Sequence, residues 1–196
     1  FFSAYNGDKN DAWKEYFTYG GLPLILAKRT EEQKSKYLRD LCEKTYLADI
    51  IERNHLRGDN VIDALVNVLA SSVGSLTNPL KLANTFNSKG IKVTDKTLRV
   101  YIDYLLDAFI IAKADRYDVK GKHYIATPAK YYFSDIGLRN ARLNFRQQEE
   151  NHIMENIIFN ELLVRDFDVD VGVVKHSEAQ KNGKRLLKSY EIDFVC

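Results

Sequence analysis

The stretch Thr94-Asp95-Lys96-Thr97-Leu98-Arg99-Val100-Tyr101-Ile102-Asp103-Tyr104-Leu105-Leu106 decides how this chain folds. Thr94 suits a helix N-cap, because its hydroxyl can accept from a free backbone N–H of the first turn. Leu98, Ile102, Leu105 and Leu106 recur at spacings of three and four. That pattern predicts a helix from Asp95 to about Phe109 with those residues facing inward. A strand from Ile110 to Tyr117 follows at once, then a turn at Val119-Lys120-Gly121-Lys122, then a second strand from His123 to Phe133. Pro128 has no N–H to give to a ladder, so the second strand is expected at a sheet edge or to end early.

Working backwards, Asn78 caps a helix with Pro79 in its first position and Gly90 just past its end. Before it, Asn60 to Val73 carries Val61, Ile62, Leu65, Val66, Val68 and Leu69, an apolar face wide enough to be central. Helix, helix, helix, hairpin, with a short link between the second and third helices, is the order of a winged helix-turn-helix. Further upstream, Asp11 to Tyr19 reads as a short helix stopped by Gly20-Gly21-Leu22-Pro23. Thr30 caps a long helix that runs to about Asn54, with Glu31 and Glu32 in its first turn and a stripe of Leu38, Leu41, Cys42, Tyr46 and Ile50.

Downstream, Ser134 to Arg142 is a short helix, and Gln147-Gln148-Glu149-Glu150-Asn151 marks a shift to polar residues. A helix from about His152 to Arg165, a strand from Asp168 to Lys175, a loop over Glu178 to Lys184 and a strand from Leu186 to Val195 complete the chain. The expected architecture is mostly α with an α/β end. A helical lid-like region (1–58) leads to a winged helix (59–146) and then to a truncated α/β domain (147–196). The opening Phe1-Phe2-Ser3 and the closing strand with no partner after it lead us to expect a piece of something longer.

Composition is that of an ordinary protein able to bury a core, with 45% hydrophobic and 29% charged residues. The net charge of +2 argues for no partner by itself. Cys42 and Cys196 are far apart and unpatterned, which fits a reducing cytoplasm and excludes a disulfide scaffold or zinc finger. No apolar run approaches the roughly 20 residues a membrane span needs. The twelve tyrosines and ten phenylalanines are read mainly as core.

Charge is not evenly spread. Residues 84–146 hold twelve Lys and Arg against six acids. Phosphate neutralisation drives much of DNA binding. In a winged helix the third helix enters the major groove, so Lys96 and Arg99, beside Asp95, would face bases, Arg99 suiting a guanine edge. Lys120, Lys122 and His123 on the wing would face phosphate. A protein-contact role stands beside this reading, because five aspartates (Asp95, Asp103, Asp107, Asp115, Asp118) sit among the cations.

The C-terminal part carries Glu155 on a helix and Glu191-Ile192-Asp193-Phe194-Val195 on a strand. Acids on a helix and a following strand can hold a divalent metal that stabilises charge in phosphodiester cleavage. The order resembles the nuclease core of Holliday-junction resolvases, a restriction-endonuclease-like fold. Glu155 and Asp193 would stand at the first two positions of that metal site, and its third element would lie after Cys196. A solvated or capping role for these acids is the competing reading. No Gly-x-x-x-x-Gly-Lys-Ser/Thr loop is present to cradle a nucleotide. His55, His123, His152 and His176 lack metal spacing, and Ser71, Ser72 and Thr77 have no evident base.

Several landmarks together resemble one family. These are Tyr19-Gly20-Gly21-Leu22-Pro23, Thr45-Tyr46-Leu47-Ala48-Asp49-Ile50-Ile51-Glu52-Arg53, Asn78-Pro79, Tyr132-Phe133-Ser134-Asp135-Ile136-Gly137-Leu138-Arg139, Glu155-Asn156 with Glu161-Leu162, and Glu191-Ile192-Asp193-Phe194-Val195. They are similar to the bacterial and archaeal AAA-type P-loop ATPases that carry a C-terminal domain of unknown function. The resemblance implies an ATPase domain before Phe1, with ATP and Mg as its cofactors and as a partner for this segment. It implies no cofactor and no catalysis in the segment itself, which would be a DNA-binding module coupled to nucleotide state. Self-association, or a role as part of a metal-dependent nuclease, are the alternatives.

Overall fold

The computed structural model describes residues 1–56, 59–146, 149–179 and 185–196. Helix α1 (Lys9–Tyr19) begins two residues before the expected start because Asp8 caps it, its carboxylate accepting from the N–H groups of Asn10 and Asp11. Thr30 caps α2 (Glu31–Asp40) through the Gln33 N–H. The single long helix expected to Asn54 is instead interrupted. A π-helical stretch, Leu41–Leu47, separates α2 from α3 (Ala48–Arg53), and the Ala48 N–H reaches back five residues to the Glu43 carbonyl. The cause is visible in the burial. Leu38, Cys42, Leu47 and Ile50 are buried, and the step of five between Cys42 and Leu47 stays on one face only if the helix widens there.

Helices α4 (Asp59–Ser71), α5 (Pro79–Ser88) and α6 (Asp95–Asp107) follow. Both expected caps form, with the Asn78 side chain accepting from the Lys81 N–H and the Thr94 hydroxyl from the Thr97 N–H. Gly90 lies in the left-handed region, φ 83°, at the exit of α5. Strands β1 (Ile111–Asp118) and β2 (His123–Phe133) then form an antiparallel hairpin. Its register jumps from Ala114–Lys130 to Arg116–Ile125, so β2 bulges around Pro128. There Ala129 leaves β1 and instead exchanges hydrogen bonds with Thr77 ahead of α5, at 2.9 and 3.0 Å. Pro128 therefore sits at a bulge of an outer strand, where its missing donor does no harm.

Two short segments now lock together. Helix α7 (Ile136–Arg142) is capped by Asp135, whose second oxygen accepts from the Gly21 N–H at 2.8 Å. Asn140 donates to the Phe17 and Thr18 carbonyls at 3.1 and 3.0 Å. Gly137 is required here, because a Cβ on it would lie 2.0 Å from the Tyr19 carbonyl oxygen. The turn after α1 and the start of α7 thus form one joint. Beneath it, the fully buried Arg139 donates to the Ala70 carbonyl of α4.

Helix α8 (Glu150–Val164) packs on the hairpin, and β3 (Asp170–Ala179) and β4 (Arg185–Val195) follow. The strand expected from Asp168 to Lys175 extends to Ala179, and most of the loop expected over 178–184 lies outside the described residues, as do 147 and 148. The described strands form one mixed sheet in the order β2-β1-β3-β4. β1 pairs in parallel with β3 over Arg116–Asp118 and Val171–Val173, so the hairpin and the C-terminal strands share a ladder across the boundary expected at 146/147. The chain is a mixed α/β structure. Among its described residues no helix is long and apolar enough to cross a membrane.

Candidate functional site

On the outer strand β2, Lys130 and Tyr132 are two residues apart and share a face. Both reach the carboxylate of Glu155 on α8. Lys130 Nζ donates to Glu155 Oε1 at 2.8 Å, and the Tyr132 hydroxyl donates to the same oxygen at 2.7 Å. From the opposite outer strand, β4, Glu191 Oε1 lies 2.8 Å and Asp193 Oδ1 3.6 Å from Lys130 Nζ. The side chain of Lys130 is 3% exposed, against 37% for Glu191 and 66% for Asp193. The centre is therefore a buried ammonium closed on the inside by Glu155 and on the outside by two solvent-facing acids.

A break in β4 allows this. Between the pairs Gly172–Ile192 and Asp170–Val195 the strand carries one residue more than its partner. A bulge lets neighbouring side chains lean to one side. Asp193 accordingly turns toward Lys130 while the next residue, Phe194, sits against Tyr132 and Phe159, each ring 6.2 Å away. Tyr132 and Phe159 stack at 4.2 Å and floor the centre. Gly74, φ 72°, closes the other side, where a Cβ would lie 2.9 Å from Glu155 Oε2.

Burial alone would push the Lys130 ammonium down, but the hydrogen bonds to Glu155 and Glu191 outweigh it and hold its pKa above the ordinary lysine value. The Tyr132 phenol is pushed strongly up, first by burial and then by donating to Glu155. Both protons stay in place at neutral pH. The adjacent Asn156 is fully buried and completes the β2 end, accepting from the Phe133 N–H at 2.8 Å and donating to the Phe133 carbonyl at 2.7 Å.

The structure brings Glu155 and Asp193 to one centre, with Lys130 between them. A divalent ion does not fit that arrangement, since Glu155 Oε1 already accepts two hydrogen bonds and a cation already occupies the middle. Sequence reading missed Lys130 and Tyr132. The available signal was their two-residue spacing on a strand whose neighbours Tyr131 and Phe133 are apolar and buried.

The basic residues fall in two exposed sets, one on α6 and one at the hairpin turn. Lys96 and Arg99 are exposed one turn apart at the start of α6, and Arg99 lines a small groove with Asn78, Asp103, Lys113 and Thr127. Lys120, Lys122 and His123 are exposed on the hairpin turn. Asp118 fixes that turn by accepting from the Lys120 and Gly121 N–H groups at 3.1 and 2.8 Å, and Lys175 pairs with its other oxygen at 3.4 Å. Among the described residues none of Lys96, Arg99, Lys120 and Lys122 is tied into an ion pair.

Residues 10–149 match the family described as Domain of unknown function (DUF8612), and the chain belongs to that family. The matched segment includes Lys130 and stops short of Glu155, Glu191 and Asp193. An uncharacterized protein of Haemophilus influenzae is 34% identical over 184 residues, covering 94% of this chain and 42% of its own length. An uncharacterized protein of Methanocaldococcus jannaschii is 28% identical over 183 residues, covering 92% of this chain and 38% of its own length. The chain thus spans less than half the length of these curated relatives. No solved structure matches it.

Proposed function

We propose that this chain is the non-catalytic C-terminal part of a longer AAA-type P-loop ATPase and that it contacts duplex DNA through a winged helix. The observation that carries the DNA reading is the pair of exposed, unneutralised basic sets on α6 and the hairpin turn. α4, α5 and α6 followed by the β1–β2 hairpin supply the helix, helix, helix, wing order, with Lys96 and Arg99 at the end of α6 that enters a major groove. More than half of each relative lies outside the matched segment, which leaves room for an ATPase domain that binds ATP and Mg. The order α8, β3, β4 supports a restriction-endonuclease-like beginning for the last part. Changing Lys96, Arg99, Lys120 and Lys122 together to Glu should abolish duplex binding in a fluorescence-anisotropy titration while leaving the circular dichroism spectrum intact. Unchanged binding would refute the reading.

One observation favours a protein-contact role instead. The outer face of α8 forms an apolar groove of about 600 Å³ with the chain start, lined by Phe2, Trp13, Met154, Ile158, Leu162 and Phe167. A helix that is apolar on both sides is normally covered on both. In this reading the remainder of the longer protein covers it. Ile158→Glu should then separate the two parts in limited proteolysis of the full-length protein, and an unchanged digestion pattern would remove the reading.

A further inference from the structure

The restriction-endonuclease-like reading implies a divalent metal at Glu155 and Asp193, and the residues in place disagree with it. We propose that Lys130 is the resident cation of this centre, so that its ammonium, rather than a divalent ion, holds α8 and β4 to the hairpin.

Three observations carry this. Lys130 is buried to 3% exposure with its Nζ 2.8 Å from carboxylate oxygens on both a helix and the far strand. A lysine so buried keeps its charge only when anions surround it, so the acids and the ammonium are mutually required. Glu155 Oε1 is saturated by Lys130 and Tyr132, and its other oxygen faces Gly74. A metal approaching Glu155 through either oxygen would lie beside a buried positive charge. Glu191 and Asp193 direct their charge at the same ammonium, at 2.8 and 3.6 Å.

The consequence is that removing the ammonium frees a carboxylate set. In Lys130→Gln the three acids would have no internal counter-charge, and an added divalent ion would stabilise the fold by taking its place. The proposal concerns the C-terminal centre alone and is independent of DNA binding by α6 and the hairpin.

The test uses Mn²⁺ as the probe, read by electron paramagnetic resonance for binding and by thermal melting for stability, on the whole chain. The wild-type protein should show no bound Mn²⁺ that is lost on Glu155→Gln, and its Tm should not move with millimolar Mn²⁺. Lys130→Gln should bind Mn²⁺ and gain roughly 5 °C in Tm from it. That gain should disappear when Asp193→Asn is added. Wild-type binding that depends on Glu155 would overturn the proposal, and so would a folded Lys130→Gln protein that ignores Mn²⁺. If Lys130→Gln does not fold at all, the comparison of wild type with Glu155→Gln decides alone.

Discussion

Lys130 Nζ and Glu155 Oε1 are 2.8 Å apart, although one comes from an outer strand and the other from a helix 25 residues later. That contact is the point at which the hairpin, α8 and the C-terminal strands are tied. Removing one partner of a buried pair leaves an uncompensated charge and costs about 3 kcal/mol or more. Lys130→Ala is expected to lower Tm by roughly 6–12 °C, and Glu155→Gln by less, because Tyr132 can still donate to the amide oxygen. The double change Lys130→Met with Glu155→Gln should cost less than the two single changes summed, as a double-mutant cycle in urea would report.

Asn156 provides the backbone partner that the end of β2 lacks. In Asn156→Ala the buried Phe133 N–H loses its acceptor, whereas the Phe133 carbonyl keeps a donor in Asn160 at 2.9 Å. One orphaned buried donor costs about 2 kcal/mol. Urea unfolding should show that loss for Asn156→Ala and a smaller one for Asn160→Ala, whose carbonyl partner retains Asn156.

The two cysteines should react at very different rates. Cys196 is exposed, and Cys42 is buried, its thiol pushed up to about 11 by burial against the opposing pull of the Arg142 guanidinium. A thiolate is the reactive form, so at neutral pH Cys42 should be silent toward a chromogenic disulfide reagent. One thiol should be titrated at once and the second only as denaturant unfolds the chain. Rapid titration of both would place Cys42 outside the core.

Alkaline pH should loosen the hairpin. Burial raises the Tyr131 phenol from 10.0 to about 12 in the folded chain. Below the unfolded value both states keep the proton and stability is intact. As pH rises from there toward the folded value, only the unfolded chain releases it, so stability falls. The raised pKa of Lys130 acts in the same direction, since its stabilising charge is lost as pH climbs through the folded value. Tyr131→Phe should lessen this decline in melts taken across the alkaline range, the remainder coming from Tyr132 and Lys130.

Local chemistry was legible in the sequence, and long-range chemistry was not. Asn78, Thr94 and Pro128 announce caps and an outer strand because each acts through its own backbone neighbourhood. The widening at Leu41–Leu47 appears only as a five-residue step between two buried residues, which a stripe read at three and four passes over. Pairing of Arg116–Asp118 with Val171–Val173 depends on contacts more than fifty residues apart, so nothing near either strand signals it. Glu155 and Asp193 could be named as partners because acids on a helix and a strand suggest a shared counter-ion. Lys130 is easily passed over, because a lysine in a strand reads as a solvated side chain until the fold buries it. The joint between the Gly20-Gly21 turn and Asp135 explains a further pair of sequence landmarks as architecture rather than chemistry.

Binding of the chain to a fluorescent DNA duplex across a series of salt concentrations tests the functional proposal most directly. If Lys96, Arg99, Lys120 and Lys122 each neutralise one phosphate, log Kobs should fall against log salt with a slope of about −4. Reversing all four charges should then remove binding. A wild-type chain that fails to bind at low salt, or a flat salt dependence, would contradict DNA contact and leave the two basic sets to a protein partner.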